Sequence, residues 1–297
     1  MSDLGELIDN IRHALTANDT TRDAIAALAA SMDSSTTTMS LELAGVGPAG
    51  GGLAEVDMEL MAVKSIDSST GTATLWSFGR GYRSSVPAAH SAGVEVRLNP
   101  TWPSFTIARA INDALKELYP SIYRVVIEET EIPSNYGPLF LNGNPAGIIN
   151  VFVEDATNPG RWLPEHRWDY NRNRSDDGYN LVIGGAYEAG RLVRVVYADA
   201  PGEFSLTGSL TQEFTTETGL EPRHESLLLL AVAYRMAPFI DLARLPFLSA
   251  EAQATERNQG GGQSVGRLLY SMFQTRLREE AAILAKENPI RLHKVGR

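Results

Sequence analysis

The sequence predicts an α+β protein in which a helical bundle core carries inserted all-β units behind an N-terminal helical segment. Three observations lead there. Apolar residues recur at helical spacing near both ends of the chain and once in between. Two intervening stretches break into short alternating runs separated by Gly, Ser, Thr and Pro. The middle helix is too isolated to be stable by itself, so it is expected to pack on the C-terminal helices. The divisions that follow are 1–32 for the N-terminal helices, 33–98 for a small β unit, 99–120 with 216–288 for the bundle core, 121–215 for an inserted β domain and 289–297 for a C-terminal arm.

Each element has its own signal. Residues 3–31 read as two helical pieces, the first carrying Leu4, Leu7, Ile8, Ile11 and Leu15 on one stripe, with a break at "TANDTTRD". "AEVDMELMAV" alternates as one strand, with Val56, Met58, Leu60 and Ala62 on one face and Glu55, Asp57 and Glu59 on an acidic outer face. "TATLWSF" and "GVEVRL" are further strands, and "VGPAGGG" is a loop. Pro100 and Pro103 lead into a helix lined by Ile107, Ile111, Leu115 and Leu118 and ended at Pro120. "YRVVIEETEI", "GIINVFVED", "YNLVIGG" and "RLVRVVYAD" form a second all-β unit, a small sandwich or barrel. "ESLLLLAVAYRM" is apolar nearly all round and must be covered by neighbours, and residues 264–286 form the last helix.

Composition restricts the function classes. The 297 residues carry a net charge of -10, which argues against a protein built to grip a phosphate backbone. There is no cysteine, so disulfides, thiolate metal sites and cysteine nucleophiles are excluded. The N-terminus lacks the basic and apolar regions of a signal peptide, and "LLLLAVAY" is too short to span a bilayer, so a soluble chain is expected.

The stretch "GRGYRSSVPAAHSAG", residues 79–93, has the look of a site. A phosphate loop needs its glycines at the start of a helix, commonly with a lysine, whereas this stretch runs into another strand. It reads instead as a shaped connection. Gly79, Gly81 and Gly93 supply unusual backbone angles, Pro87 stiffens the middle, and His90 hydrogen-bonds the loop's own backbone.

"WDYNRNRSDDGYN" imitates a calcium loop through Asp169, Asn171 and Asn173, but Arg174 stands where a glycine belongs and Asn180 where a glutamate belongs. Glu128, Glu129 and Glu131 are the acids a glycosidase reading would use, and Trp162 and Trp168 the aromatics a glycan-binding reading would use. His13, His166, His224 and His293 show no metal-binding spacing. No catalytic residue, cofactor site or metal site is therefore assigned.

The segment from Gly79 to Pro120 resembles head-to-tail adaptor proteins of phages with long non-contractile tails, particularly those infecting actinobacteria. Those proteins carry an R-G-x-x-G-T-x-A-A-x-H-x-x-G stretch before a strand and an I-N-D-A-L-x-x-L-Y-P helix. This chain keeps Arg80, Gly81, Pro87, Ala88, Ala89, His90 and Gly93, and departs at Ser84 and Ser85, where Gly-Thr is usual. "GRLVRVVYADAP", "ESLLLLAVAYRMAPFIDLARL" and "VGRLLYSMFQTRLREEAAIL" resemble later parts of the same family, over roughly residues 55–286.

The resemblance implies a non-enzymatic virion protein with a helical bundle core, forming a ring of about a dozen copies under the portal. It would be made in the host cytoplasm, end in the neck between head and tail, contact a tail-side connector and pass DNA without reading it. It also implies that the short basic arm docks into the portal, with Ile290, Leu292 and Val295 as anchors among Arg291, His293, Lys294 and Arg297. An acidic ring suits such a channel, since each Lys or Arg contact to phosphate would slow passage. The alternatives are a tail-tube, baseplate or capsid-decorating protein, and a virion-associated protein that binds or hydrolyses glycans.

Overall fold

Strands outnumber helices among the described residues. The computed structural model describes residues 2–16, 23–42, 51–133, 138–143, 145–171, 179–207, 209–248, 261–291 and 293–294. In chain order these form α1 (Leu4–Thr16), β1 (Ala24–Leu28), β2 (Thr38–Glu42), β3 (Gly52–Val56), β4 (Glu59–Asp67), β5 (Thr72–Leu75), β6 (Glu95–Leu98) and α2 (Ser104–Leu118). There follow β7 (Arg124–Glu131), β8 (Leu139–Leu141), β9 (Gly147–Glu154), β10 (Trp162–Pro164), β11 (Trp168–Asn171), β12 (Tyr179–Ile183) and β13 (Leu192–Asp199). The chain continues through α3 (Phe214–Thr218), α4 (Glu225–Leu248), α5 (Gly261–Glu287) and β14 (His293–Lys294).

The expected helical bundle core, which the resemblance also implied, is therefore wrong. The chain divides into two units, the first of residues 1–114, 203–217 and 225–273, and the second of residues 115–202, 218–224 and 274–297. The first is centred on a closed six-stranded antiparallel barrel and the second on two four-stranded sheets. Helical periodicity correctly marks amphipathic segments, but it does not say what they cover. Among the described residues β-sheet supplies one apolar cluster in each unit, and helix residues such as Leu4, Ile8, Ile111 and Leu228 are buried as well.

In the first unit the strand order is β1-β2-β5-β4-β3-β6, closed by pairing of β6 with β1. Closure leaves no free sheet edge. Leu28, Met39, Leu41, Val56, Met61, Val63, Leu75, Val96 and Leu98 fill the interior. Two expectations fail here. Residues 24–28 are not part of a second N-terminal helix but strand β1, paired from Ala24↔Leu98 to Ala27↔Glu95. Alanine-rich sequence favours helix by propensity, and sheet pairing overrides it. "AEVDMELMAV" is not one strand either. Val56 and Glu59 are paired across a two-residue turn, with Asp57 at φ 52, a left-handed angle that Asp tolerates better than most residues.

The helices of this unit line up on the side chains the periodicity marked. Leu4, Leu7, Ile8 and Ile11 are fully buried and α1 packs on α4. The α2 residues Ile107, Ala108 and Ile111 are buried as well. Asn112 on α2 is buried and grips the main chain of Phe204 twice, donating from Nδ2 to its carbonyl at 2.9 Å and accepting its N–H on Oδ1 at 2.9 Å.

The second unit is a sandwich. One sheet runs β10-β9-β13-β7 and the other β14-β11-β12-β8. Ile148, Val151, Val153, Val193, Val195 and Tyr197 of the first sheet meet Leu139, Leu141, Trp168, Tyr170 and Leu181 of the second in one cluster. The period-2 alternation of β13 is what points Val193, Val195 and Tyr197 inward together.

Replacing Asn112 by Ala strands the Phe204 N–H and carbonyl in a buried site. Chemical denaturation should show a loss of about 2 kcal/mol, and Asn112→Asp, which keeps only the acceptor, should recover part of it.

Candidate functional site

The stretch 79–93 is organised by Glu59, a carboxylate that strand alternation predicts on a solvent face. Glu59, the first residue of β4, is 2% exposed. Its two oxygens accept five hydrogen bonds: from Arg80 Nε at 2.7 Å, Arg80 Nη2 at 2.9 Å, the Gly81 N–H at 3.0 Å, the Ala88 N–H at 3.0 Å and His90 Nε2 at 2.9 Å. The bidentate Arg80 contact uses the planar fork of the guanidinium. The rest of that fork holds the main chain, donating to the carbonyls of Asp33 at 2.5 Å, Thr36 at 3.0 Å and Ala88 at 2.6 Å.

His90 does not hydrogen-bond its own loop, as the sequence suggested. Its ring lies between two acids, with Nδ1 2.9 Å from Asp57 Oδ2 and Nε2 2.9 Å from Glu59 Oε2. Two carboxylates facing both nitrogens favour the imidazolium. Burial works against that charge, but the Asp57 and Glu59 hydrogen bonds outweigh it and raise the histidine to about 9. For Glu59, burial pushes upward and the Arg80, His90, Ala88 and Gly81 hydrogen bonds reverse it, leaving the carboxyl at about 2. Arg80 and His90 thus balance Glu59 and Asp57. With both ring nitrogens occupied, His90 has no lone pair free to take a proton from a substrate.

The other turn residues fit this frame. Gly81 has φ 58, and a Cβ there would lie 2.8 Å from Pro87 Cδ, so glycine is required on two counts. Gly79 differs from the expectation: its need is close approach, since a Cβ would lie 2.5 Å from the Ala62 carbonyl oxygen. Gly93 has φ 85. Ser84 stands at φ 69, the position where the resembling adaptors have glycine. Ser85, where they have threonine, is buried and uses its hydroxyl on β4, accepting the Leu60 N–H at 3.0 Å. The His90 main chain bridges Met32 in both directions at 2.9 Å, which ties the loop to the chain beyond β1.

Glu55 is also buried rather than outward-facing. Its Oε1 accepts the Ser104 N–H at 2.7 Å, capping the start of α2 from a barrel strand. Burial raises its carboxyl above the ordinary range, partly offset by Ser104, Arg12 and Arg97. Only Asp57 of the three keeps solvent exposure, 52% of its side chain.

The remaining sequence candidates are dispersed. Glu128 bonds Asn142 and Tyr197, while Glu129 pairs with Arg194 at 2.6 Å. Trp168 is a core residue, and Trp162 lies under the Arg194 guanidinium, 4.0 Å from its ring centroid. Among the described residues no group of three or more His, Asp or Glu could hold a metal ion, and Asn173 lies outside them. His224 is buried and its pKa falls, first through burial and then through Arg223.

The C-terminal segment belongs to the second unit. Arg291 and Ile148 exchange main-chain hydrogen bonds of 2.8 and 3.1 Å, and β14 pairs with β11 through Asp169↔His293 and Trp168↔Lys294. Leu292, Val295 and Arg297 lie outside the described residues, and Ile290 is half-buried. The segment thus completes one sheet and touches the other, so it is not a bare appendage of the fold.

The cluster has a signed pH dependence. His90, raised from 6.5 to about 9, contributes stability that is complete below pH 6.5 and lost as pH climbs through 9. Glu59, lowered from 4.5 to about 2, contributes stability that is complete above pH 4.5 and lost as pH falls through 2. Calorimetry should therefore show a fall of about 3 kcal/mol on the alkaline side that His90→Gln removes. Glu59→Gln should cost about 3 kcal/mol, because it leaves Arg80 and His90 charged and buried. In comparison with known proteins, the chain matches no family model and no curated protein sequence.

Proposed function

We propose that the protein is a non-enzymatic structural component of a phage particle, a head-to-tail adaptor that forms a ring beneath the portal, joins capsid to tail and lets DNA pass. The observation that carries this reading is the part played by the resembling residues. Arg80, Gly81 and His90, which link the chain to the adaptors, all bind one buried carboxylate and spend their polar atoms on holding a loop. Ser84 sits at a left-handed angle where the adaptors have glycine, and Ser85 keeps the hydroxyl of their threonine. A sequence pattern kept for a rigid loop suits a protein that works by presenting surfaces.

Charge supports the same reading. A protomer of net charge -10 repeated around a ring surrounds passing DNA with a field that discourages phosphate contacts. Portal docking is assigned to the segment from Ile290 to Arg297, through its basic residues. Because Arg291, His293 and Lys294 are stitched into the second unit by their main chain, truncation would remove a strand together with the contact.

Quantitative mass spectrometry of purified particles, normalised to the major capsid protein, should give about a dozen copies of this chain. Hundreds of copies would favour the tail tube or capsid surface, and absence would overturn a virion role. Lys294→Glu with Arg297→Glu keeps the backbone intact. It should weaken association with the portal at least tenfold while leaving the melting temperature unchanged; equal association would remove the docking assignment.

A further inference from the structure

Within the first unit a polar cleft of about 280 Å³ opens beside Glu55, bordered by α1, the β3–β4 turn, β6 and the start of α2. Its volume lies just below the roughly 300 Å³ at which sites for drug-sized ligands begin, so it suits a group of few non-hydrogen atoms. Four acids line it, Asp9, Glu55, Asp57 and Glu95, against two bases, Arg12 and Arg97. The bases already have partners. Arg12 donates from Nη1 to Asp9 Oδ1 at 2.6 Å and from Nη2 to Ser104 Oγ at 2.8 Å. Arg97 pairs through Nε with Glu95 Oε1 at 2.8 Å and through Nη1 with Asp23 Oδ2 at 3.9 Å. Asp57 gives Oδ2 to His90 and keeps a half-exposed side chain. Glu55 is the group left wanting. It is 2% exposed, and its Oε1 is spent on the Ser104 N–H. Its Oε2 is buried and has no hydrogen-bond partner among the described residues. A buried carboxylate oxygen without a donor is costly, and the cleft that Glu55 lines is where a donor can enter.

We propose that this cleft binds a small organic cation carrying several N–H donors, a guanidinium or primary ammonium group, with Glu55 Oε2 as its deepest acceptor and Asp57 and Glu95 at the rim. An N–H group directed at Oε2 makes a charge-assisted hydrogen bond, and the positive charge offsets the excess of acid. A metal ion fits less well, because no group of three or more acids or histidines among the described residues could hold one. Arg12 and Arg97 oppose a cation by charge, but each is paired with its own carboxylate, so the binding is millimolar rather than abolished. Burial holds the Glu55 carboxyl above the ordinary range, and an occupying cation favours its ionised form. The groups around it are Asp9 and Arg12 from α1, Asp57 from the β3–β4 turn, Glu95 and Arg97 from β6 and Ser104 from α2. Of these, Glu55 is the carboxyl whose pKa is raised, so affinity falls as the solution is made acidic. The site stands independently of a virion role.

Ile8 and Val94 line the same cleft, so their methyl groups report on its occupant. In the full chain with labelled Ile and Val methyls, titration with methylguanidinium or methylammonium at constant ionic strength should shift these two signals saturably by NMR. Tetramethylammonium, with the same charge and no N–H, should not. Glu55→Gln keeps an acceptor for the Ser104 N–H but places an amide donor at Oε2, and should weaken methylguanidinium at least tenfold. Glu95→Gln changes a half-exposed rim side chain and should weaken it severalfold, giving a reading that does not depend on the Glu55 variant folding. Lowering the pH should weaken binding to the natural chain and leave the residual binding of Glu55→Gln unmoved. Binding of N-acetyl-arginine amide as tightly as methylguanidinium would support the site and assign its occupant to a protein side chain, and its exclusion would support a free small molecule. No saturable shift with either N–H cation would overturn the proposal. So would equal binding of tetramethylammonium, or undiminished binding to a folded Glu55→Gln variant.

Discussion

A single buried carboxylate sets the form of the barrel's loop-bearing end. Removing an ionised Glu59 from water is expensive, and the cost is met only because five donors converge on it. Those donors come from widely separated places: Arg80 and the Gly81 N–H after β5, the Ala88 N–H further along the loop, and His90 just before the chain enters β6. Satisfying Glu59 therefore fixes the path of a long connection that has little regular structure of its own. Through the Arg80 fork the same charge holds the main chain at Asp33 and Thr36, and through His90 it reaches Asp57 in the β3–β4 turn.

This explains why the stretch from Gly79 to Gly93 is rich in polar residues. Its arginine and histidine neutralise an interior charge, and its glycines let backbone pass close to Ala62 and Pro87. A loop held by buried ion pairs cannot collapse around its own apolar side chains. Trp76, Phe78 and Val86 consequently remain exposed on a stiff frame. Contacts made by such a pre-set surface lose less to ordering than contacts made by a mobile one.

The second unit reaches rigidity by a different route. Its sheets bury alternate residues against each other, and cross-strand ion pairs such as Arg124 with Asp199 at 2.7 Å lie at the strand ends. The C-terminal segment then touches both sheets, bonding Ile148 of β9 and pairing with β11 of the opposing sheet. Upstream of that segment, the Asn288 carbonyl accepts the Tyr123 hydroxyl at 2.8 Å, which fixes where the chain leaves α5. The basic tail is thus built from a residue series that also serves the fold.

Much of the secondary structure was legible in the sequence because it depends on local periodicity. The Leu4–Ile11 stripe, the Ile107–Leu118 helix and the alternating runs that became β7, β9 and β13 follow from side-chain spacing alone. Composition likewise excluded disulfides and thiolate chemistry. Where local and long-range preferences disagreed, the sequence misled. Ala24–Leu28 has helical propensity but gains more from pairing with β6, and the alternation through "AEVDMEL" concealed a turn at Asp57. Arg80 and His90 were visible as unusual residues, yet their partner was not. Glu59 alternates with apolar neighbours just as a solvent-facing acid would, and only the folded course of the loop after β5 brings the donors of residues 80–90 around it. Spacing along the chain determines which faces are apolar. Which charges are buried, and against what, is decided by contacts between residues that only the tertiary fold makes neighbours.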